Sequence, residues 1–297
     1  MKRIVMCGSH TGGVPAIRSL LSEGYQFQYF VCLTPEQSER YCISGYYDYS
    51  EIARNYGIPV YHPKTYSLKS KEDEMFFKDN KFDLLIQGGW QRLFPENILS
   101  ALTIGGIGIH GSSDFLPKGR GRSPLNWSLI EGKKRFIMHL FLIKSGVDDG
   151  DVFDFTTFDV NEFDDIETLY FKYAIVYKKL MLRSLPSLLQ GNFPVFPQKG
   201  EPSYYARRTQ SDGLIDWETM DIWQIYNFAR AQTKPYPGAY AFINEKKYTI
   251  WKCRIFDTRL TYKEAQYGEC VEEFDGKKIV NCRGGLLLLD EFEVCED

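Results

Sequence analysis

The chain has 297 residues, enough for one large domain or two. Apolar residues make up 43% and charged residues 25%, the balance of a globular protein with a real core. A net charge of −3 argues against a nucleic-acid or membrane surface overall, and no apolar run approaches the ~18 residues that a membrane span needs.

Seven cysteines, at 7, 32, 42, 253, 270, 282 and 295, form no C-x-x-C pair, so reduced thiols and a cytoplasmic protein are expected. Met1-Lys2-Arg3 leads into only four apolar or small residues before Gly8-Ser9, so no signal peptide is expected. Residues 4–7 form a short buried strand. The loop Gly8-Ser9-His10-Thr11-Gly12-Gly13 follows, then a helix over 14–21 with one apolar face. Strand, glycine-rich loop and helix are the opening of a doubly wound α/β unit. The loop is not G-x-G-x-x-G, so no dinucleotide is implied. Ser9, His10 and Thr11 nevertheless sit at the carboxyl edge of a sheet, where such folds bind ligands.

A second strand is predicted over 27–33, a helix over 49–56, a short strand near 60, a charged helix over 70–78 and a strand over 82–87. Gln87-Gly88-Gly89-Trp90 then open a loop on the same edge, and a helix starts at Phe94-Pro95 and ends near 100. Strands alternating with helices argue for a mostly parallel sheet covered on both faces.

Residues 104–109 are an apolar run crowded with glycines that ends on His110. Glycines there let another backbone or a ligand come close. Lys118, Arg120 and Arg122 alternate with Gly119 and Gly121 in a loop, and a helix over 124–131 ends at Gly132. A strand over 138–143 leads to the turn Asp148-Asp149-Gly150-Asp151. Two strands therefore bring one imidazole and several carboxylates to their ends, beside a basic loop. Histidine titrates near neutrality, and a carboxylate behind it fixes its tautomer. Arginines suit a phosphate or carboxylate on a substrate. By chemistry alone, a lone histidine at a strand end is more often structural, and a D-D-G-D turn is more often a solvated loop than a Ca²⁺ or Mg²⁺ site.

A strand follows over 152–158, then a long helix from 166 to about 189, capped by Asp165 and stopped by Gly191. Residues 192–202 hold three prolines, a linker composition that puts the boundary near 200: a catalytic domain over 1–200 and a smaller β-rich domain over 201–297. The latter has a helix over 220–231 and strands over 240–243, 247–256, 269–274, 278–282 and 286–292. Turns at Asp275-Gly276 and Gly284-Gly285 suggest a small OB-like barrel or an antiparallel sheet.

The stretch from Gly105 to Asp151 resembles the N-formyltransferase family that uses N10-formyltetrahydrofolate. That family reads Asn-x-His-x-Ser, then Leu-Pro-x-x-Arg-Gly, then Asp-x-Gly-Asp. Here His110-Gly111-Ser112, Leu116-Pro117-Lys118-Gly119-Arg120-Gly121 and Asp148-Asp149-Gly150-Asp151 fall in that order. Pro124-Leu125-Asn126-Trp127 follows as in the sugar-modifying branch. Gly213-Leu214-Ile215-Asp216-Trp217 and Pro235-Tyr236-Pro237-Gly238-Ala239 are similar to the enzymes that formylate 4-amino-sugars, so the resemblance covers roughly the whole chain.

The resemblance implies formyl transfer from N10-formyltetrahydrofolate to the amine of a UDP- or dTDP-linked amino-deoxy sugar, a precursor of a surface glycan or a pseudaminic-acid-type sugar. It implies His110 as the catalytic histidine and Asp148 as its orienting partner. Gln87, Gly88, Gly89, Trp90, Asp149 and Gly150 would wall the folate pocket, with Trp90 over the pterin. Ser9, His10, Thr11, Ser112, Lys118, Arg120, Arg122 and Asn126 would hold the sugar nucleotide. Neither metal nor nicotinamide is implied, and relatives are often dimers.

The chain also departs from the family. Gly108 stands where the family has the asparagine that holds the formyl oxygen, two residues are inserted near Ser113-Asp114, and Ile137-Met138-His139 replaces Gly-x-Thr. Losing an oxyanion donor typically costs on the order of 10²–10³ in rate. Ser112, Asn126 or a backbone N–H are the candidate substitutes. Two other readings stay open. One is methionyl-tRNA formyltransferase, against which stand 13 Lys+Arg and 17 Asp+Glu over 201–297, a net of −4 in a domain that should be basic to grip tRNA. The other is a degenerate protein that binds folate or sugar nucleotide without turnover.

Overall fold

The computed structural model describes residues 2–43 and 45–295. Packing divides the chain into two units. The first comprises Met1–Arg120, Ile137–Phe158 and Lys172–Ser203; the second comprises Gly121–Phe136, Asp159–Phe171 and Tyr204–Asp297. A cut near residue 200 follows the chain, whereas the packing enters the second unit twice before Tyr204.

The first unit is built on β1 (Ile4–Cys7), α1 (Val14–Ser22), β2 (Tyr29–Val31), α2 (Pro35–Arg40), α3 (Ser50–Asn55), β3 (Val60–Tyr61), α4 (Lys71–Asn80), β4 (Leu84–Gln87), α5 (Glu96–Leu99) and β5 (Gly105–Ser112). The helix α1 buries Ala16, Ile17, Leu20 and Leu21, the three- and four-residue spacing of one helical face. The helix α2 lay outside the sequence reading, although Thr34 and Gln37 carry the three-residue spacing of a capping box and form both of its hydrogen bonds. After the short β6 (Arg120–Gly121) and α6 (Pro124–Ile130) come β7 (Arg135–Leu142), β8 (Val152–Asp159) and α7 (Ile166–Gln190). The sheet order is β3-β2-β1-β4-β5-β7-β8. The pairs β2–β3, β1–β2, β1–β4 and β4–β5 are parallel, and β5–β7 is antiparallel. This is the mostly parallel α/β sheet that the alternation of elements predicts.

The second unit continues after β9 (Tyr204–Tyr205) with α8 (Ile222–Arg230) and the strands β10 (Ala239–Ile243), β11 (Lys246–Asp257), β12 (Cys270–Phe274), β13 (Lys277–Cys282) and β14 (Gly285–Val294). Asp221 and Gln224 form a capping box that starts α8. Its Ile222, Ile225 and Phe228 join a core with Ile250, Val280, Leu287 and Leu289. The strands form an antiparallel sheet in the order β10-β11-β14-β13-β12, one of the two forms that the short strands suggest. The helix α6 belongs here because Asn126 Nδ2 donates to Ala231 O at 2.7 Å, just past α8. Among the described residues, no helix is long and apolar enough to cross a membrane.

Candidate active site

Strand register sets the edge of the site in the first unit. Cys7 lies opposite Gln87 and Ile86 opposite Ile107, so the loops after β1 and β4 leave the sheet level with Gly108. Buried tyrosines pin both loops. Tyr49 Oη reaches His10 O and Gly88 O, each at 3.1 Å, and Tyr177 Oη donates to Gln87 O at 2.7 Å. Gln87 Nε2 closes its own loop on Trp90 O at 2.6 Å, and Gly89 O accepts from Ser9 N at 3.4 Å.

Several expected ligand contacts are instead internal braces. Ser9 is fully buried; its hydroxyl donates to Gly8 O at 2.8 Å and accepts from Leu33 N at 2.9 Å, which ties β1 to the end of β2. Trp90 is 2% exposed and packs edge-on against Tyr66 and stacked near Phe94, so its ring lies in the core. His10 Nδ1 accepts from Gly12 N at 2.9 Å and so caps the short turn Thr11–Gly13. Burial lowers its pKa and keeps it neutral. Thr11 is exposed, with its N–H given to Gly45 O.

His110 is not at the end of its strand. The strand β5 runs on to Ser112 because β7 lies antiparallel along it, and His110 pairs with His139. Leu142, the last residue of β7, therefore sits beside Ile107, three residues before His110. The acidic turn reaches the imidazole only by folding back. Gly150 makes this possible: a Cβ there would lie 1.5 Å from Leu142 O. Asp148 takes φ +49, and its Oδ2 comes to 3.4 Å from His110 Nδ1. His110 Nε2 lies 2.8 Å from Gly119 O. The ring is 8% exposed. A carboxylate and a carbonyl are both acceptors, so both contacts are satisfied together only when both ring nitrogens carry hydrogen.

Gly108 has a specific neighbour. It pairs with Phe141 across β5–β7, and a Cβ at 108 would meet ring carbons of Phe141 at 2.5, 2.9 and 3.0 Å. A phenyl ring thus fills the space beside Gly108 that a side chain there would need. His139 is fully buried, and neither ring nitrogen has a hydrogen-bond partner among the described residues. Phe115 and Phe155 lie against it. Burial, and then the charge of His110, lower its pKa from 6.5 to about 4. The unfolded chain therefore binds more protons than the folded one between these values, and stability falls as pH falls from 6.5 toward 4. Up to about 3 kcal/mol is at stake. Urea unfolding of wild type and His139→Leu at pH 7 and pH 4.5 checks this. The wild type is expected to lose more stability on acidification than the variant; equal losses would exclude His139 as the cause.

The remaining expected residues divide. Ser112 is buried, with its Oγ 3.4 Å from Asp114 N. Lys118 is exposed. Arg120 donates from Nε and Nη2 to Gln198 Oε1 at 3.2 and 2.6 Å. Asp149 has a buried Oδ1 with no hydrogen-bond partner among the described residues. Arg122 and Asn126 belong to the second unit. Arg122 is exposed, whereas Asn126 is 4% exposed and donates from Nδ2 to Ala231 O within that unit's core, with its Oδ1 unpartnered among the described residues. Among the described residues, no group of three or more His, Cys, Asp or Glu is arranged to hold a metal ion.

Sequence reasoning missed Gln198, Ser203 and Phe141. The first two lie in or just after a proline-rich stretch that reads as a linker. The one signal for Phe141 was that an aromatic residue followed His139 by two, on the same face of a strand.

Two family models match the chain: one described as formyl transferase over residues 48–185, the other as formyl transferase, C-terminal domain, over 207–295. Solved structures share the fold. An N-formyltransferase from Helicobacter canadensis, in complex with folinic acid and dTDP-3-aminofucose, is 16% identical, covers 99% of this chain and 100% of its own, and has a TM-score of 0.72. A 4-N formyltransferase from Francisella tularensis is 18% identical over 81% of this chain and 92% of its own, with a TM-score of 0.64. HypX from Aquifex aeolicus, in complex with tetrahydrofolic acid, is 18% identical over 99% of this chain, with a TM-score of 0.65. The chain spans only 44% of that HypX chain.

Proposed function

The chain belongs to the formyl transferase family, and we propose that it transfers the formyl group of N10-formyltetrahydrofolate to the amine of a nucleotide-linked amino sugar. The observation that carries this reading is the His110–Asp148 pair, 3.4 Å apart and largely buried at the carboxyl edge of the parallel strands. The folate and dTDP-sugar ligands of the Helicobacter canadensis structure support the two substrate classes.

In this reaction the sugar amine attacks the formyl carbon, and the carbonyl electrons move onto oxygen. The adduct then collapses: the bond to N10 breaks, N10 takes a proton and the former amine gives one up. His110 moves that proton, and its doubly protonated form stabilises the oxyanion. Asp148 holds the ring and balances its charge. Nε2 reaches a reactant by exchanging the Gly119 carbonyl for it. The nucleotide is dTDP or UDP, and the product feeds a surface glycan or a pseudaminic-acid-type sugar. Seven free thiols support a reducing, cytoplasmic setting.

The test is incubation with N10-formyltetrahydrofolate and a panel of dTDP- and UDP-amino sugars, following tetrahydrofolate release and the mass of the sugar nucleotide. Formylation of at least one panel member is expected. Formylation of methionyl-tRNA alone, or binding without turnover, would overturn the reading.

Arg120 is occupied by Gln198, so the exposed Lys118 is the better candidate for the diphosphate. Alanine at Lys118 is expected to raise KM for the sugar nucleotide by about tenfold, the worth of one charged hydrogen bond of about 1.5 kcal/mol, with kcat little changed. If the substitution leaves KM unmoved, the phosphates bind elsewhere.

A further inference from the structure

We propose that Gln198 is the positioning residue that holds Asp148 against His110. Its amide Nε2 donates to Asp148 O at 2.7 Å and to Gly150 O at 2.8 Å. Its Oε1 accepts from Arg120 Nε at 3.2 Å and Nη2 at 2.6 Å. Both amide hydrogens and both acceptor lone pairs are therefore used. The network also fixes the amide's orientation. Turned over, the amide would face the guanidinium with hydrogens and two carbonyls with an oxygen.

This bracing answers a geometric need. The antiparallel register ends β7 beside Ile107, so the acidic turn must double back to reach His110. Asp148 does so in a left-handed conformation, φ +49, that non-glycine residues rarely adopt without support. Gln198 holds the carbonyls of Asp148 and Gly150 together and fixes that conformation.

The same short segment grips the other side of the imidazole. Arg120 follows Gly119, whose carbonyl lies 2.8 Å from His110 Nε2. Gly119 N donates to Ser203 Oγ and Arg120 N to Ser203 O, each at 2.9 Å, and Ser203 N donates to Pro117 O at 3.2 Å. Residues 198–203 thus strap the loop that contacts one ring nitrogen to the turn that faces the other. A stretch that reads as a linker sets the geometry of the site.

The catalytic part of this proposal rests on the formyl-transfer reading; the geometric part does not, and the test separates them. Gln198→Glu keeps an acceptor for Arg120 and makes that contact an ion pair, so the fold is retained, but it removes both donors and sets a carboxylate against two carbonyls. Gln198→Met removes all four hydrogen bonds at similar length and volume. In crystal structures of either variant, Asp148 is expected to draw more than 4 Å away from His110. Amide hydrogen exchange across 148–151 should also quicken. An unchanged His110–Asp148 distance overturns the proposal whatever the activity.

If the wild type transfers formyl groups, kcat of Gln198→Glu should fall at least ~10-fold, the scale of a small misplacement of a catalytic group. KM for both substrates should stay within about twofold, the signature of a residue that acts through Asp148 and not on a substrate. In an Asp148→Asn background the substitution should add little, since both changes remove one interaction. Additive losses would mark Gln198 as a general support of the fold and overturn the positioning role. If the wild type shows no transfer, the functional reading fails, and the crystallographic distance still decides the role of Gln198.

Discussion

His110→Asn and Asp148→Asn are each expected to lower kcat by at least ~10². The two side chains lie 3.4 Å apart, Nδ1 to Oδ2, and the imidazole is 8% exposed, so a carboxylate beside it acts with little screening from solvent. Asparagine at 148 keeps the size and removes the charge that balances an imidazolium. Asparagine at 110 keeps a hydrogen-bonding group and removes the proton carrier. Turnover should therefore fall far more than substrate binding, and KM should move little. Near-normal kcat in either variant, with an unchanged melting temperature, would remove the pair from the reaction.

Restoring the family's asparagine at position 108 should harm this protein. A Cβ there meets the Phe141 ring at 2.5 to 3.0 Å, closer than real side chains come. Overpacking of this kind costs roughly 1–3 kcal/mol, because the buried Phe141 ring must be displaced. Gly108→Asn alone should lower both stability and kcat. Gly108→Asn with Phe141→Ala makes room for the amide. If position 108 faces the reacting carbon, the double variant should turn over at least tenfold faster than Gly108→Asn, because one oxyanion donor is worth on the order of 10²–10³ in rate. The measurements are urea unfolding and initial rates on the three proteins. Wild-type stability in Gly108→Asn would refute the steric account, and a double variant as slow as the single one would place position 108 away from the chemistry.

Much of this was present in the order of residues. Alternating strands and helices announced the α/β sheet, because a parallel strand pair needs a crossover between its members. Capping residues act within one turn, so Asp221 with Gln224 and Thr34 with Gln37 are local signals. The family resemblance singled out His110 and Asp148 because the spacing of their motifs survives along the chain. The fate of the other candidates depended on partners far away in sequence. Ser9 is consumed by Leu33, 24 residues on, and Asn126 by Ala231, 105 residues on. The pattern that marks Trp90 as apolar and aromatic is the same whether it covers a ligand or fills a core.

The direction of β7 is the deeper case. A strand shows the same two-residue alternation whether its neighbour runs parallel or antiparallel. Residue order alone was enough to tell which residues lie on the face of β5 and which turn carries the carboxylates. The tertiary structure alone decided that β7 runs back along β5, set Phe141 against Gly108 and His139 against His110, and required Gln198, 50 residues beyond Asp148, to hold the turn in place. Those are long-range contacts, formed only when the sheet closes, and no local propensity encodes them.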